Sequence, residues 1–328
     1  MHLSRYMLRV LAPAVLLAAA ALFHGPASAQ PTANWPTRPV KVIVPYAPGG
    51  STDNATRAFM DRLSIAMGQQ FVIENKGGAS GLVGTEAGVR SAPDGYTFFV
   101  VPVATITVLP AARSMPFDAF KDMVPVSRFA ESFLVFSIHP SLPANTMEEF
   151  VAYAKANPGK LAFGSSGIGT LTQMTCESVK SAAKLDMLHV PYRGGAEALT
   201  DFLAGQVQVH CEGNILPHVK AGKAKLLGVA ANERHPDFPD VRMLKEIWPE
   251  ADAVSWVGLF APTGTPDAIV RKVSAELQKI SKNPDLQAHL MRLALKGTAD
   301  TPEELAAALR KDHVRYGKLV RDLGIKFE

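Results

Sequence analysis

Apolar residues fall into two rhythms along the chain. Short β-branched or aromatic runs read as strands, and longer stretches with apolar positions three or four apart read as amphipathic helices. Val40, Val42, Ile43 and Val44 form a run suited to a buried strand. Pro45, Pro48, Gly49 and Gly50 end it in a tight loop. Ser51, Thr52 and Asp53 then open a helix with apolar positions at Ala55, Ala58, Phe59, Leu63 and Met67. Strands are predicted over 71–74 and 96–101, with a helix over 82–91 between them. That alternation predicts parallel pairing with helices on both faces.

Residues 104–112 read as helix, and 124–130 and 133–138 as strands near the middle, where the chain is expected to cross into a second domain. The spacing Thr146-Met147-Glu148-Glu149 matches a capping box and predicts a helix to about residue 156, stopped by Asn157-Pro158-Gly159. A strand over 161–163, a second glycine-serine loop over 164–170 and a helix over 171–183 repeat the opening theme. Further strands are predicted over 187–190, 207–211 and 226–230, with helices over 196–204 and 215–221. A strand over 254–260 is positioned to bring the chain back to the first domain. Thr265-Pro266 and Thr301-Pro302 place a cap before a helix-starting proline, opening helices over 268–281 and to about residue 320. The fold class is therefore α/β, with one domain from 30–130 plus 254–328 and the other from 131–253.

The first 29 residues follow a different pattern. Arg5 and Arg9 precede an apolar core over 10–23, and Ala27-Ser28-Ala29 is a small-residue cleavage site. This reads as a secretory signal peptide, too short in its apolar core to span a bilayer, cleaved after Ala29. The expected product is an exported, periplasmic chain of 299 residues (328 less 29), a length that favours two domains. Losing Arg5 and Arg9 takes the formal charge from +4 to +2. That balance gives no case for nucleic acid. Cys176 and Cys211 match no zinc or redox spacing. They read as two separate small core residues, with a single disulfide as the alternative in an oxidising compartment.

Catalytic signatures are missing from the sequence. In 164–169 the position of the last elbow glycine is occupied by Ile168, so this is not a nucleophile elbow. HExxH, P-loop and full GxGxxG motifs are absent, and no metal or cofactor is expected. The two glycine-serine loops suit binding better. Each follows a strand and opens a helix, whose first turn leaves about four N–H groups without intrahelical partners. Glycine lets an anion approach those donors. Valine at Gly49 or Gly169 is therefore expected to block a ligand's approach.

Several motifs in order carry a resemblance: W-P-T-R-P-V-K-V-I-V-P-Y-A-P-G-G-S-T-D, then E-N-K-G-G-A-S-G, P-D-G-Y-T, G-K-L-A-F-G-S-S-G-I-G-T, H-V-P-Y-R-G-G-A-E-A-L-T-D, L-P-H-V-K-A-G-K and W-V-G-L-F-A-P-T-G-T-P. Over nearly all of the mature chain this resembles the Bug-type (TctC-type) solute-binding receptors of tripartite tricarboxylate transporters. The resemblance implies two doubly wound α/β domains joined by crossing strands, with a closing ligand cleft between them. It implies a small carboxylate ligand, membrane transporter subunits as partners, a monomer and no catalysis. A sensing module, or an exported enzyme acting on a carboxylate, is the alternative.

Carried over, the site comprises Tyr46, Ala47, Gly49, Gly50, Ser51, Thr52 and Asp53 in the first loop. The second loop supplies Ser165, Gly167, Ile168, Gly169 and Thr170, joined by Tyr192, Glu212 and Asn214. Asp53 reads as a helix-start residue more than a contact. The chain departs from the family at Tyr46, where phenylalanine is common, and at Glu212-Gly213-Asn214, near where an Asp-Asn pair is common. Facing the cleft, Glu212 would disfavour a second ligand carboxylate or meet an ammonium group; a surface position is the alternative.

Overall fold

The computed structural model describes residues 34–251 and 253–324; the signal peptide expected over 1–29 lies outside them. Two mixed sheets organise the chain. The first has the order β11-β4-β10-β3-β1-β2, built from β1 (Val40–Val44), β2 (Phe71–Asn75), β3 (Thr97–Pro102), β4 (Met123–Ser132), β10 (Ser255–Pro262) and β11 (Leu295–Gly297). The second has the order β7-β6-β8-β5-β9, built from β5 (Leu134–Ile138), β6 (Leu161–Ser165), β7 (Met187–Pro191), β8 (Val209–His210) and β9 (Lys225–Ala230).

The pattern of helices follows the strands. α1 (Ser51–Met67) and α2 (Leu82–Val89) link β1, β2 and β3, and β1 pairs parallel with both neighbours, Val40 opposite Phe71 and Lys41 opposite Thr97. The predicted parallel half of the sheet is therefore present. Its other half is antiparallel: β10 runs against β3 and β4, and β11 against β4. In the second sheet β6 is parallel to β7 and β8, while β5 runs against β8 and β9. The antiparallel pairings arise at the strands that carry the chain between sheets. Phe133 alone separates β4 from β5. The return from β9 to β10 runs through 231–254 and includes the short α8 (Leu244–Ile247).

The remaining helices are α3 (Val103–Thr107), α4 (Met147–Ala156), α5 (Leu171–Ala182), α6 (Gly195–Leu203), α7 (Leu216–Lys220), α9 (Asp267–Ser281), α10 (Pro284–Arg292) and α11 (Pro302–Asp322). Apolar packing is continuous across the crossing, running from Ile43 and Phe99 through Leu134 and Phe136 to Phe163. The last helix clamps the returning strand. Trp256 donates its indole N–H to the buried Asp312 carboxylate at 2.6 Å, and Tyr316 bonds both the N–H and the C=O of Val254 at 3.0 and 2.6 Å. These bonds satisfy polar groups that burial would otherwise penalise.

The two cysteines are joined, which corrects their reading as separate core residues. Cys176 in α5 bonds Cys211, just past β8, with Cα atoms 6.0 Å apart and a sequence separation of 35. The cause is topological. β6 and β8 are hydrogen-bonded neighbours, so the helix that follows β6 packs over the end of β8. Spacing along the chain carries no trace of that neighbourhood. No helix among the described residues is long and apolar enough to cross a membrane.

Candidate ligand-binding site

β1 ends at Val44, and residues 45–50 turn the chain into α1. The helix starts behind Gly50 with no side-chain cap. Its open donors, at the positive end of the dipole, lie at a cavity lined by Gly50, Ser51 and Thr52. Asp53, 1% exposed, works behind the loop. It accepts the Gly49 amide at 2.9 Å, a two-bond fork from Arg57 at 2.9 and 3.0 Å, and the Asn75 amide at 2.8 Å. Burial opposes its charged form, but these donors outweigh burial and hold the carboxyl below its usual range.

The second loop is tied internally. β6 extends through Ser165, two residues beyond its predicted end. The Ser165 hydroxyl meets His189 Nε2 at 2.7 Å. Gln173 donates toward His189 Nδ1 at 3.2 Å and accepts the Gly169 amide at 2.7 Å. Burial first, then the nearby Lys180 charge, push His189 down to about 4, so the ring is neutral at pH 7. With the Gln173 amide rather than a carboxylate behind it, the Ser165–His189 pair lacks the acidic member of a serine–histidine–acid triad. Ser166 N–H donates to the Thr172 hydroxyl at 3.0 Å, and Gly167 N–H to the Ser165 hydroxyl at 3.2 Å.

Both loops face one cavity of about 180 Å³. Its floor comes from the crossing strands, through Ser132, Leu134, Ser255 and Val257. Beside it lies a second cavity, the vestibule, of about 700 Å³, which shares Tyr46, Ala47, Pro48 and Ser166 with it. Tyr46, Ala47, Gly50, Ser51, Thr52, Thr170 and Glu212 line the inner space, while Gly167, Ile168 and Tyr192 line the vestibule. Gly49, Asp53, Ser165, Gly169 and Asn214 line neither. Gly49 and Gly169 have φ of +89° and +77°, and their amides are already bonded to Asp53 and Gln173. Their glycines serve the turn, so a valine there would act through backbone strain and not by obstructing a ligand. Asn214 braces the start of α6, donating to Gly195 C=O at 3.1 Å while its Oδ1 meets His210 Nε2 at 2.7 Å.

Glu212 is the central side chain. It is 6% exposed and projects into the cavity rather than to the surface. One carboxylate oxygen accepts the Ser51 hydroxyl at 2.7 Å, the other the Ser166 hydroxyl at 2.6 Å. Glu212 thus joins the two loops. Tyr46 stands beside it; burial, reinforced by the Glu212 charge, raises the phenol above its ordinary value. A second tie crosses the cleft: the Ser80 hydroxyl donates to Ile168 C=O. Ser80 holds a left-handed φ of +55°, and its carbonyl accepts from Tyr46 and Thr105.

A family model described as the tripartite tricarboxylate transporter family receptor matches residues 55–325. The chain belongs to that receptor family. The receptor is similar to the periplasmic binding protein BugD, at 28% identity and a TM-score of 0.84 over 90% of this chain and 100% of that one. Rpa4515 of R. palustris, solved with adipate, matches at 28% identity and a TM-score of 0.85 over 89% and 99% of the two chains. MatC of Rhodopseudomonas palustris, solved with malate, matches at 29% identity and a TM-score of 0.80 over 87% and 100%. The family is one of binding proteins, not enzymes, and its fold has two α/β domains.

Ser80, Gly195 and Arg193 are outside the predicted site, while Ser166 lies within its second loop, 165–170. Ser165 ends β6 and Ser166 begins the turn, so one hydroxyl meets His189 and the other reaches Glu212. Ser80 lies within the E-N-K-G-G-A-S-G motif, but that motif carries no sign that its serine crosses to the second loop, which it reaches by a turn with left-handed backbone.

Proposed function

We propose that this receptor is exported to the periplasm, cleaved after Ala29, and captures a small carboxylate that it passes to membrane transporter subunits. The residues 30–130 with 254–328 form one lobe and 131–253 the other, closing over the solute as a monomer. The observation that carries the reading is the uncapped start of α1 facing a cavity shared with the second loop. Backbone N–H groups of the first helical turn are the donors for the solute's carboxylate, with the Thr52 hydroxyl at the same wall. Hydrogen bonds to a charged group contribute about 1.5–3 kcal/mol each. The vestibule carries Arg113 and Arg193, whose positive charge draws anions toward the mouth. Relatives bound to adipate and malate support the solute class.

A thermal-shift screen of the mature protein against organic acids tests this. A solute at 100 times its dissociation constant stabilises by about 2.7 kcal/mol. Stabilisation by at least one acid is expected, and silence from all acids would remove the reading. Loss of that acid's uptake on gene deletion distinguishes transport from sensing.

A further inference from the structure

We propose that the solute presents a cationic nitrogen to Glu212, so that the receptor selects amino-bearing acids over plain mono- and dicarboxylates. This rests on the carboxylate-receptor reading and narrows it.

Between the two loops, beside the helix-start donors of α1, stands the chain's own carboxylate. Glu212 reaches it from the end of β8 and packs against the start of α6 so closely that a Cβ on Gly195 would lie 2.0 Å from Glu212 Oε2. Its two hydroxyl partners take one acceptor site on each oxygen. A carboxylate offers about four such sites, so each oxygen retains capacity for a further donor. Among the described residues, Glu212 and Glu197 are the charged ones lining the inner cavity, and neither Lys nor Arg lines it. Buried charges in proteins are paired, because an unpaired one is costly. The starts of α1 and α6 beside Glu212 favour its charge through their dipoles, and no lysine or arginine among the described lining residues neutralises it, so a cationic group on the solute would be the full charge that completes the pair.

The distribution of charge along the cleft supports the same orientation. Carboxylates line the inner cavity, and Arg113 and Arg193 line the vestibule. A plain dicarboxylate would bring a second anion against Glu212, and like charges in one site repel. An amino-bearing acid instead places its ammonium at Glu212 while its carboxylate takes the helix-start donors.

The test measures binding of matched probes by calorimetry and thermal shift on the mature protein. Butyrate is paired with γ-aminobutyrate, glutarate with L-glutamate, and benzoate with 4-(aminomethyl)benzoate; adipate, malate and putrescine complete the set. Wild type is expected to bind at least one amino-bearing acid roughly 30-fold or more tighter than its parent, the scale of a desolvated charge pair. Glu212→Gln keeps the shape and removes the charge, and should bring the pair to within about threefold. Gly195→Ala displaces the flexible end of Glu212 without altering its charge and should cut the same preference. It serves as the second variant if Glu212→Gln does not fold. Equal or tighter binding of the parent acids, an undiminished preference in both variants, or silence from every amino-bearing probe overturns the proposal. Binding of putrescine with silence from every acid supports the role of Glu212 while defeating the carboxylate reading on which the choice of acids rests.

Discussion

At Asp53 the Gly49 amide, the Arg57 guanidinium and the Asn75 amide converge on one carboxylate. That side chain shapes the first loop from behind, as its place in the first helical turn suggested. Glu212 was harder to read. A residue at the end of a strand points either way, and burial of its carboxylate depends on Ser51 and Ser166, 161 and 46 residues away in the chain. His189 yields a test at this scale. Its folded-state value of about 4 lies below the ordinary 6.5. Between those two values the unfolded chain binds the extra proton, so stability falls as pH drops from about 6.5 to 4. The slope is at most about 1.4 kcal/mol per pH unit and is reduced by the ring's partial exposure. His189→Gln should flatten the melting-temperature profile over that window. His210 and His235 are shifted in the same direction by burial, so the slope should diminish without vanishing. An unaltered profile would show that His189 is not the group responsible.

Elements with strong local punctuation were legible. The capping box at Thr301 and Glu304 forms as its spacing predicts, with bonds of 3.2 and 2.8 Å, and α1 and α5 start at their predicted loops. Elements that depend on partners were not. The strand expected over 207–211 reduces to Val209–His210, because only those residues find pairing partners in β5 and β6. β11, α8 and α10 were missed, although Asn283-Pro284 carries the cap-then-proline signal and Asn283 accepts the Leu286 amide at 3.0 Å. The disulfide between α5 and the end of β8 gives an element-scale prediction. Closing a 35-residue separation restricts the unfolded chain by roughly 3–4 kcal/mol. Replacing Cys176 and Cys211 together by alanine should lower the unfolding free energy by that amount in urea titrations. An unchanged midpoint with an unchanged slope would refute a stabilising bridge.

At the scale of the whole molecule, strand order made two α/β units visible, and the paired loops pointed to a shared cleft. The antiparallel halves of both sheets were not visible, since β10 pairs with β3 and β4 only after more than a hundred intervening residues. Two hydroxyl bridges, Ser51 to Glu212 and Ser80 to Ile168, span the cleft. Removing both with Ser51→Ala and Ser80→Ala should enlarge the radius of gyration of the unliganded protein in X-ray scattering. A saturating acid identified in the thermal screen should then compact the double variant more than wild type. Identical scattering from the two proteins would mean that these bridges do not hold the cleft. Fixing a long side chain such as glutamate costs up to about 2 kcal/mol of rotamer entropy. Ser166, in the same 131–253 segment as Glu212, holds one of its oxygens whether or not Ser51 reaches across the cleft, so part of that cost is met during folding, and under the proposal above a solute would meet an acceptor it need not fully immobilise.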